Sequence, residues 1–506
     1  MFAEGVLNAV IQNLFTLDVL IALLVGVCLG MVIGAMPGLS GTMAIALLLP
    51  ITYSMDAAPA LIMLMAIYTS AMTGGSISAI LLHTPGTPGN AATAIEGYPM
   101  TKQGRGLEAL GISMLSSTFG GVLSAIALLL IAPPLAKVSL LFSEPENFLV
   151  AIFGLTIIGS LAGEDMIKGL LCGAIGLALA TVGIDNISGT LRFAFGQNGL
   201  YSGIQMVPAM IGLFSIPRVL AVCEKPKEAN KSLALESDTS LSGRLFLSGK
   251  EYKRLLPVAL MSSIIGTFVG ILPGAGGSIG SWMSYDRAKR MSKHKEEFGN
   301  GSIEGLCACE TGNNAVTGGA FIPLLTLAIP GSPAAAVCLG ALMIQGLVPG
   351  NRLFTQQAAT TYTILFGFLI ANILMGIFGL LISKYAVKVT AIPNSILMPC
   401  VLVLCFIGSY AINASMFDVY VAVGFGVIGY LMEKLKLPAA PLILGLILGS
   451  TAETGFRLSL VMANGNPLVY YFSRPVCIIL MVIIVATIAA PIISSMMKKK
   501  NESAAL

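Results

Sequence analysis

Four short stretches rich in glycine and proline carry the residues best suited to chemistry in this chain. They read GAMPG at 34–38, TPGTPGNAA at 84–92, ILPGAGGS at 271–278 and IPGSPAAA at 329–336. Such residues interrupt a helix ladder, and the half-helix that restarts presents unpaired N–H groups at its N-terminus. Those groups and the aligned peptide dipoles favour an anion. Glycine lets a ligand approach the backbone, and nearby hydroxyls donate hydrogen bonds without adding charge. The expected substrate-binding set is Gly38, Ser40 and Thr42; Pro85, Gly86, Thr87 and Asn90; Gly274, Gly276, Gly277 and Ser278; and Pro330, Gly331 and Ser332. The competing reading is that these are kinks and close helix contacts only.

Glu310, Asn313 and Asn314 open a long uncharged stretch at 311–351. At i, i+3/i+4 spacing they share a helix face, and polar groups inside a membrane are functional candidates. Two amides offer donors to a carboxylate or carbonyls to a cation, so Asn313 and Asn314 join the expected site. Alternatively, the face only bonds backbone freed by a break at the nearby TGG. His83 could bond a ligand, carry a proton or be a satisfied buried histidine. Glu453 and Arg457, at i, i+4, read as a structural pair.

The elements that must position these residues are membrane helices. Of the 506 residues 56% are hydrophobic and only 10% charged, against about 25% charged in soluble domains; mean hydropathy is +0.89. Charge-free runs occur at 19–55, 57–95, 109–136, 193–217, 255–285, 311–351, 353–383, 389–417 and 475–497, with shorter ones near 147–163, 169–184, 419–432 and 437–452. At about 20 apolar residues per span, this predicts roughly 11–14 membrane segments, some of them broken or re-entrant. No basic residue precedes the first apolar run, so it is expected to be retained and not cleaved as a secretory signal. The nine cysteines are scattered, without zinc spacing to His83 or His294, and read as small apolar fillers.

With loops alternating across the bilayer, 23 of the 28 Lys and Arg fall on one side, which sets that side as cytoplasmic. The halves also resemble each other in order: GAMPG with GILPG (270–274), TGG (73–75) with TGG (317–319), PGTP (85–88) with PGSP (330–333), and IGS (158–160) with IGS (407–409). Equivalent loops differ in charge. The loop at 52–60 has no basic residue, whereas 285–297 has five. The expected architecture is an all-α polytopic membrane protein of two inverted-topology repeats, with broken or re-entrant helices meeting near the midplane. The expected division is 1–222 first repeat, 223–254 cytoplasmic linker, 255–475 second repeat, and 476–506 a final helix and basic tail. Broken backbone at membrane depth survives where it is buried in protein or lines a cavity.

The stretches GAMPGLSGTMAIALLLP (34–50), TGGSISAILLHTPGTPGNAATAIEGYPM (73–100) and ETGNNAVTGGAFIPLLTLAIPGSPAAAVCLGAL (310–342) closely resemble the large membrane subunit of the tripartite tricarboxylate transporter family. The resemblance runs over nearly the whole chain. It implies a multi-pass carrier of the bacterial cell inner membrane, embedded in membrane lipid. It implies two partners, a periplasmic solute-binding protein and a small four-helix membrane subunit. Its substrates would be carboxylates, a tricarboxylate such as citrate or a dicarboxylate. Uptake would be coupled to Na+ or H+, without ATP and without a bound cofactor. The family's motifs fall on Gly34–Gly38, Gly270–Gly274, Pro85–Gly89, Ile329–Ser332, and Glu310 with Asn313 and Asn314. One departure is PGAGGSIGSW at 273–282, where the first half has PGLSGTMA; less bulk leaves more room there.

An enzyme is not expected. The chain lacks paired intramembrane aspartates, an HExxH pair and a P-loop, and no GxSxG-type element pairs with His83. Nor is a nucleic-acid partner expected. A stand-alone carboxylate carrier or a channel remains the alternative to a carrier served by a binding protein.

Overall fold

The structure is a computed structural model describing residues 5–36, 39–161, 166–185, 187–224, 244–272, 276–385 and 394–487. Gly38 and Gly274, most of the linker and the basic tail lie outside them. In the first half the helices are α1 (Val6–Leu14), α2 (Leu17–Ala35), α3 (Gly41–Thr52), α4 (Ala57–Leu82), α5 (Ala91–Lys102), α6 (Gly106–Val138), α7 (Glu144–Leu161), α8 (Met166–Ala180) and α9 (Met206–Glu224). In the second they are α10 (Gly249–Ile271), α11 (Gly276–Met291), α12 (Ile303–Leu327), α13 (Pro333–Ile344), α14 (Asn351–Thr355), α15 (Ala358–Ile382), α16 (Asn394–Asn413), α17 (Met416–Lys434), α18 (Ala439–Met462), α19 (Pro467–Phe472) and α20 (Pro475–Thr487). Among the described residues the only sheet is the antiparallel pair β1 (Gly183–Ile184) and β2 (Leu191–Arg192). Among the described residues eight helices are long and apolar enough to cross a bilayer: α2, α4, α6, α9, α10, α15, α17 and α18. Shorter apolar helices include α3, α8, α13, α16 and α20. This is an all-α, multi-pass membrane protein.

Two helices form the centre. Along α4 every residue from Pro59 to Leu81 is buried, and along α12 every residue from Ile303 to Thr326. α2 packs on α4, and α10 packs on α12. The glycines explain how helices approach so closely. A Cβ on Gly30 or Gly34 would meet the carbonyls of Ile67 and Ala71 at 2.7 and 2.2 Å. One on Gly266 or Gly270 would meet those of Gly312 and Val316 at 2.3 and 2.5 Å. Small residues that let backbones touch are the usual device where lipid provides no hydrophobic drive.

Three sequence expectations change. The TGG stretches are not breaks: both lie inside continuous helices. Their glycines seat the neighbouring helix, Gly74 on Met31 O and Gly319 on Thr267 O. They release no carbonyls, because the helix ladder already uses them. The contacts also pair Gly74 with Gly319, so the TGG match was one residue out of register. The run at 193–217 begins as a loop, and its helix starts at Met206. Finally, α10 begins inside the expected linker. Ser248 and Glu251 form a capping box there, with Ser248 Oγ accepting from Glu251 N and Glu251 Oε2 from Ser248 N at 2.7 Å.

The halves interleave. Glu96, buried on α5, accepts from Tyr285 Oη (2.6 Å) and from the amides of Gly299, Gly301 and Ser302 (2.7, 2.9 and 2.8 Å). A first-half carboxylate thereby caps the N-terminus of α12. At another edge, Glu453 pairs with Arg457 at 3.1 Å as expected. The pair extends to Arg192 (2.6 Å) and Asp185 (2.8 Å), tying the strand pair to α18. Hydrogen bonds from Ser188 and then Arg457 hold the Asp185 carboxyl well below the usual carboxylate range.

Candidate functional site

Each broken stretch ends one helix and starts another, with a serine at two of the restarts. Ser40 caps α3 by accepting from Met43 N at 3.2 Å, and Ser332 caps α13 by accepting from Ala335 N at 3.1 Å. A hydroxyl that accepts from the backbone still has its own hydrogen to donate. The helices before the two PG loops end alike, on a left-handed residue, His83 (φ 54°) after α4 and Ala328 (φ 58°) after α12. His83 is exposed and stacks on Tyr98 with ring centroids 4.6 Å apart, so it is not the buried histidine the sequence suggested.

Residues of three of the stretches, and Ser40–Thr42 just after the first, meet at one cavity of about 650 Å³. Its wall includes Ser40, Gly41 and Thr42 from the first break, and Thr87, Pro88 and Gly89 from the first loop. It also includes Gly276, Gly277 and Ser278 from the second break, and Ser332, Pro333 and Ala334 from the second loop. Tyr68 and Met72 of α4, Phe214 of α9, Ile279 of α11 and Pro438–Ala440 at the start of α18 complete the wall. An adjoining cavity of about 620 Å³ shares Ser40, Thr87, Pro88, Phe214 and Ala439, and adds Pro85, Gly86, Arg218 and Glu433. Both volumes lie in the range of small-molecule sites, roughly 300–1,000 Å³.

Pro330, Gly331, Asn90, Asn313 and Asn314 line neither cavity, and Gly86 lines only the adjoining one. Gly86 and Gly331 do not clear room for a ligand. A Cβ on either would meet a carbonyl, Gly34 O at 2.3 Å or Gly270 O at 2.1 Å. Their amides are also engaged, with Gly75 O (3.1 Å) and Ala320 O (3.4 Å). Pro330 is buried outside both linings. Asn314 belongs to a buried network, donating to Thr73 Oγ1 (2.7 Å) and accepting from Thr69 Oγ1 (2.9 Å), which also donates to Asn372. Asn313 is buried with Oδ1 unpartnered among the described residues; it lies against Gly89 and Gly277, whose Cβ positions fall 2.2 and 2.3 Å from it. Asn90 accepts from Thr87 Oγ1 (2.5 Å) and donates to Ser76 Oγ (2.9 Å) and Met72 O (3.1 Å). Ser278 donates to Pro88 O at 3.1 Å, joining the two halves across the cavity. Gly276, at φ +63° with open space where a Cβ would stand, is glycine for its backbone conformation.

Sequence reasoning missed Arg218 and Tyr68. Arg218 is one of the 23 cations that loop alternation puts on the cytoplasmic side, yet it lies in α9 with a buried Nε that has no partner among the described residues. It places a positive charge at the cavity wall beside the first loop. Tyr68 Oη pairs with Ser332 Oγ at 2.9 Å. Neither residue lies in a Gly/Pro stretch, and only tertiary structure brings them there. The site can therefore offer hydroxyl hydrogens, restarted helix N-termini and one guanidinium to an anion.

The family model for the Tripartite tricarboxylate transporter TctA family matches residues 20–444. A curated relative, the uncharacterized 52.8 kDa protein in the TAR-I ttuC' 3'region of Agrobacterium vitis, is 38% identical over 450 residues, covering 88% of each chain. A second, the uncharacterized protein in the TAR-II ttuC' 3'region of the same organism, is 38% identical over 205 residues, 40% of this chain and 85% of that protein. No solved structure matches the chain.

Proposed function

The chain belongs to the tripartite tricarboxylate transporter TctA family, and from that premise we propose that it is the permease subunit of a secondary transporter importing carboxylates across the bacterial inner membrane. The observation that carries this reading is the convergence, on one cavity, of the helix restarts that follow all four Gly/Pro stretches, two from each half. Each helix N-terminus supplies roughly half a positive charge; Arg218 adds a full one at the adjoining cavity, where Glu433 opposes it. The helix-end charge suits a carboxylate. The matched glycine contacts of α2 with α4 and of α10 with α12 support two repeats, which in inverted orientation would open the cavity to either side in turn. A periplasmic solute-binding protein would deliver the substrate, a small four-helix subunit would complete the permease, and a sodium or proton gradient would drive it.

The test is uptake of citrate and of succinate by proteoliposomes holding the chain and its small subunit, with and without the binding protein. Imposed sodium and proton gradients provide the driving arms. Accumulation that needs a gradient and the binding protein is the expected result. Accumulation with a gradient alone favours a stand-alone carrier. Flux of neither carboxylate, or uptake that requires ATP, overturns the reading.

A further inference from the structure

Glu310 is enclosed by hydroxyls. It lies seven residues into α12, about 10 Å along the helix, fully buried. Its Oε2 accepts from Ser76 of α4 (2.6 Å) and from Ser113 and Ser117 of α6 (3.0 and 2.9 Å). Its Oε1 accepts from Thr93 of α5. Among the described residues no cation lies within ion-pair distance. Three helices thus spend four hydroxyls on one carboxylate that the substrate cavity does not touch. Buried charges are otherwise paired or neutralised.

The network continues to the cavity wall. Ser76 accepts from Asn90, and Asn90 accepts from Thr87, which lines both cavities. Three hydrogen bonds therefore join a substrate-facing hydroxyl to the buried carboxylate.

We propose that Glu310 is the coupling-proton site, taking its proton on Oε1 against Thr93 and linked to substrate through Ser76, Asn90 and Thr87. This rests on the carrier reading above. In the ionised state all four hydroxyls donate. On protonation a new O–H bond forms at Oε1 and donates to Thr93 Oγ1. The Thr93 hydrogen then turns to Cys309 Sγ, 3.7 Å away, whose own S–H faces Leu306 O at 3.2 Å. No heavy atom need move, because hydroxyls act as donor or acceptor by rotation.

The other titratable groups nearby are committed. On α5, Glu96 holds Tyr285 and three backbone amides. On α6, Glu108 pairs with Arg105 and Arg244, and on α12, Glu304 pairs with Arg254. Cys307 and Cys309 are buried thiols of α12 itself, and α4 contributes only Ser76. An anion at Thr87 and a charge on Glu310 repel, so substrate and proton each favour the other's binding. Linkage makes the effect reciprocal, which is the sign a symporter needs.

Infrared difference spectroscopy of the purified, intact chain tests the site apart from transport. A carboxylic-acid carbonyl band should rise and fall reversibly with pH in the native protein and vanish in Glu310→Gln. In proteoliposomes the same variant should lose citrate accumulation driven by a proton gradient yet keep citrate–citrate exchange. Thr93→Val, which keeps the carboxylate but removes its proton acceptor, should shift the band's midpoint, and decides the matter if Glu310→Gln does not fold. A band unchanged in Glu310→Gln, full proton-driven accumulation in that variant, or an unshifted midpoint in Thr93→Val overturns the proposal while leaving the carrier standing. Should neither citrate nor succinate be carried, the carrier reading fails, and the band still decides whether Glu310 binds a proton.

Discussion

The loop after α4 and the loop after α12 have one backbone and two chemistries. Both begin on a left-handed residue, both return a glycine amide to the helix just left, and both press that glycine onto a glycine carbonyl, Gly86 on Gly34 and Gly331 on Gly270. Thr87 and Ser332 correspond, and so do Pro88 and Pro333. Beyond that the match ends. Asn90 corresponds to Ala335, and Ser76, which reaches Glu310, corresponds to Phe321, which packs edge-on against Tyr68 with centroids 5.8 Å apart. Glu310 itself corresponds to Met65, a buried apolar residue. Shape is shared because glycine contacts dictate it. The polar link between cavity and buried carboxylate exists in one half only, so the two loops are expected to fail differently.

The largest effect should be the same in both. Gly86→Leu and Gly331→Leu each force a side chain into a backbone carbonyl, and overpacking of this kind costs about 1–3 kcal/mol or more. Each variant should show a lower melting temperature in detergent and no citrate uptake. If one were tolerated at native stability, the equivalence of the two backbones would be broken. Arg218→Ala comes next and bears on the first loop's side alone. Losing a charged hydrogen-bond donor costs about 1.5–3 kcal/mol, so KM for a carboxylate should rise roughly 10- to 100-fold, measured as initial uptake rate against concentration. Asn90→Ala should lower gradient-driven accumulation about tenfold, by leaving Thr87 and Ser76 unlinked at roughly 1–2 kcal/mol; unchanged accumulation would remove the asymmetry between the loops. The smallest effect is expected in the second loop. Ser332→Ala and Tyr68→Phe should each raise KM only about fivefold, near 1 kcal/mol, and a double-mutant cycle should show that they act as a pair.

The sequence made the four Gly/Pro stretches legible because helix breakers act locally, and their convergence followed from pairing the halves. It misread TGG, since a glycine that ends a helix and one that seats a neighbour look alike in one dimension. It credited Gly86 and Gly331 to ligand access for the same reason. Asn313 and Asn314 were legible as polar residues in an apolar run, but the partners of Asn314, Thr69 and Thr73, come from α4, and Asn372, which shares Thr69, comes from α15. Arg218 was hidden by its place at the edge of a basic stretch. The hydroxyls around Glu310 come from three helices at unrelated spacings, and no period in the chain could gather them.

The Glu96 cap has a kinematic consequence. With three amides and a tyrosine hydroxyl held by one buried carboxylate, α5 and the entry of α12 form a single stiff part, to which Glu310 fastens α4 and α6. Across the cavity, α9 is bound to α17 by Glu224 with Tyr430 and Lys434, while α18 packs on α7 and α8. The seam between these two blocks runs through the cavity, past Phe214 and Pro438–Ala440. In the carrier proposed above, a rocking motion would pivot there, as one hull rolling against another, and would carry the first loop, its asparagine and the buried carboxylate along as cargo of a single block.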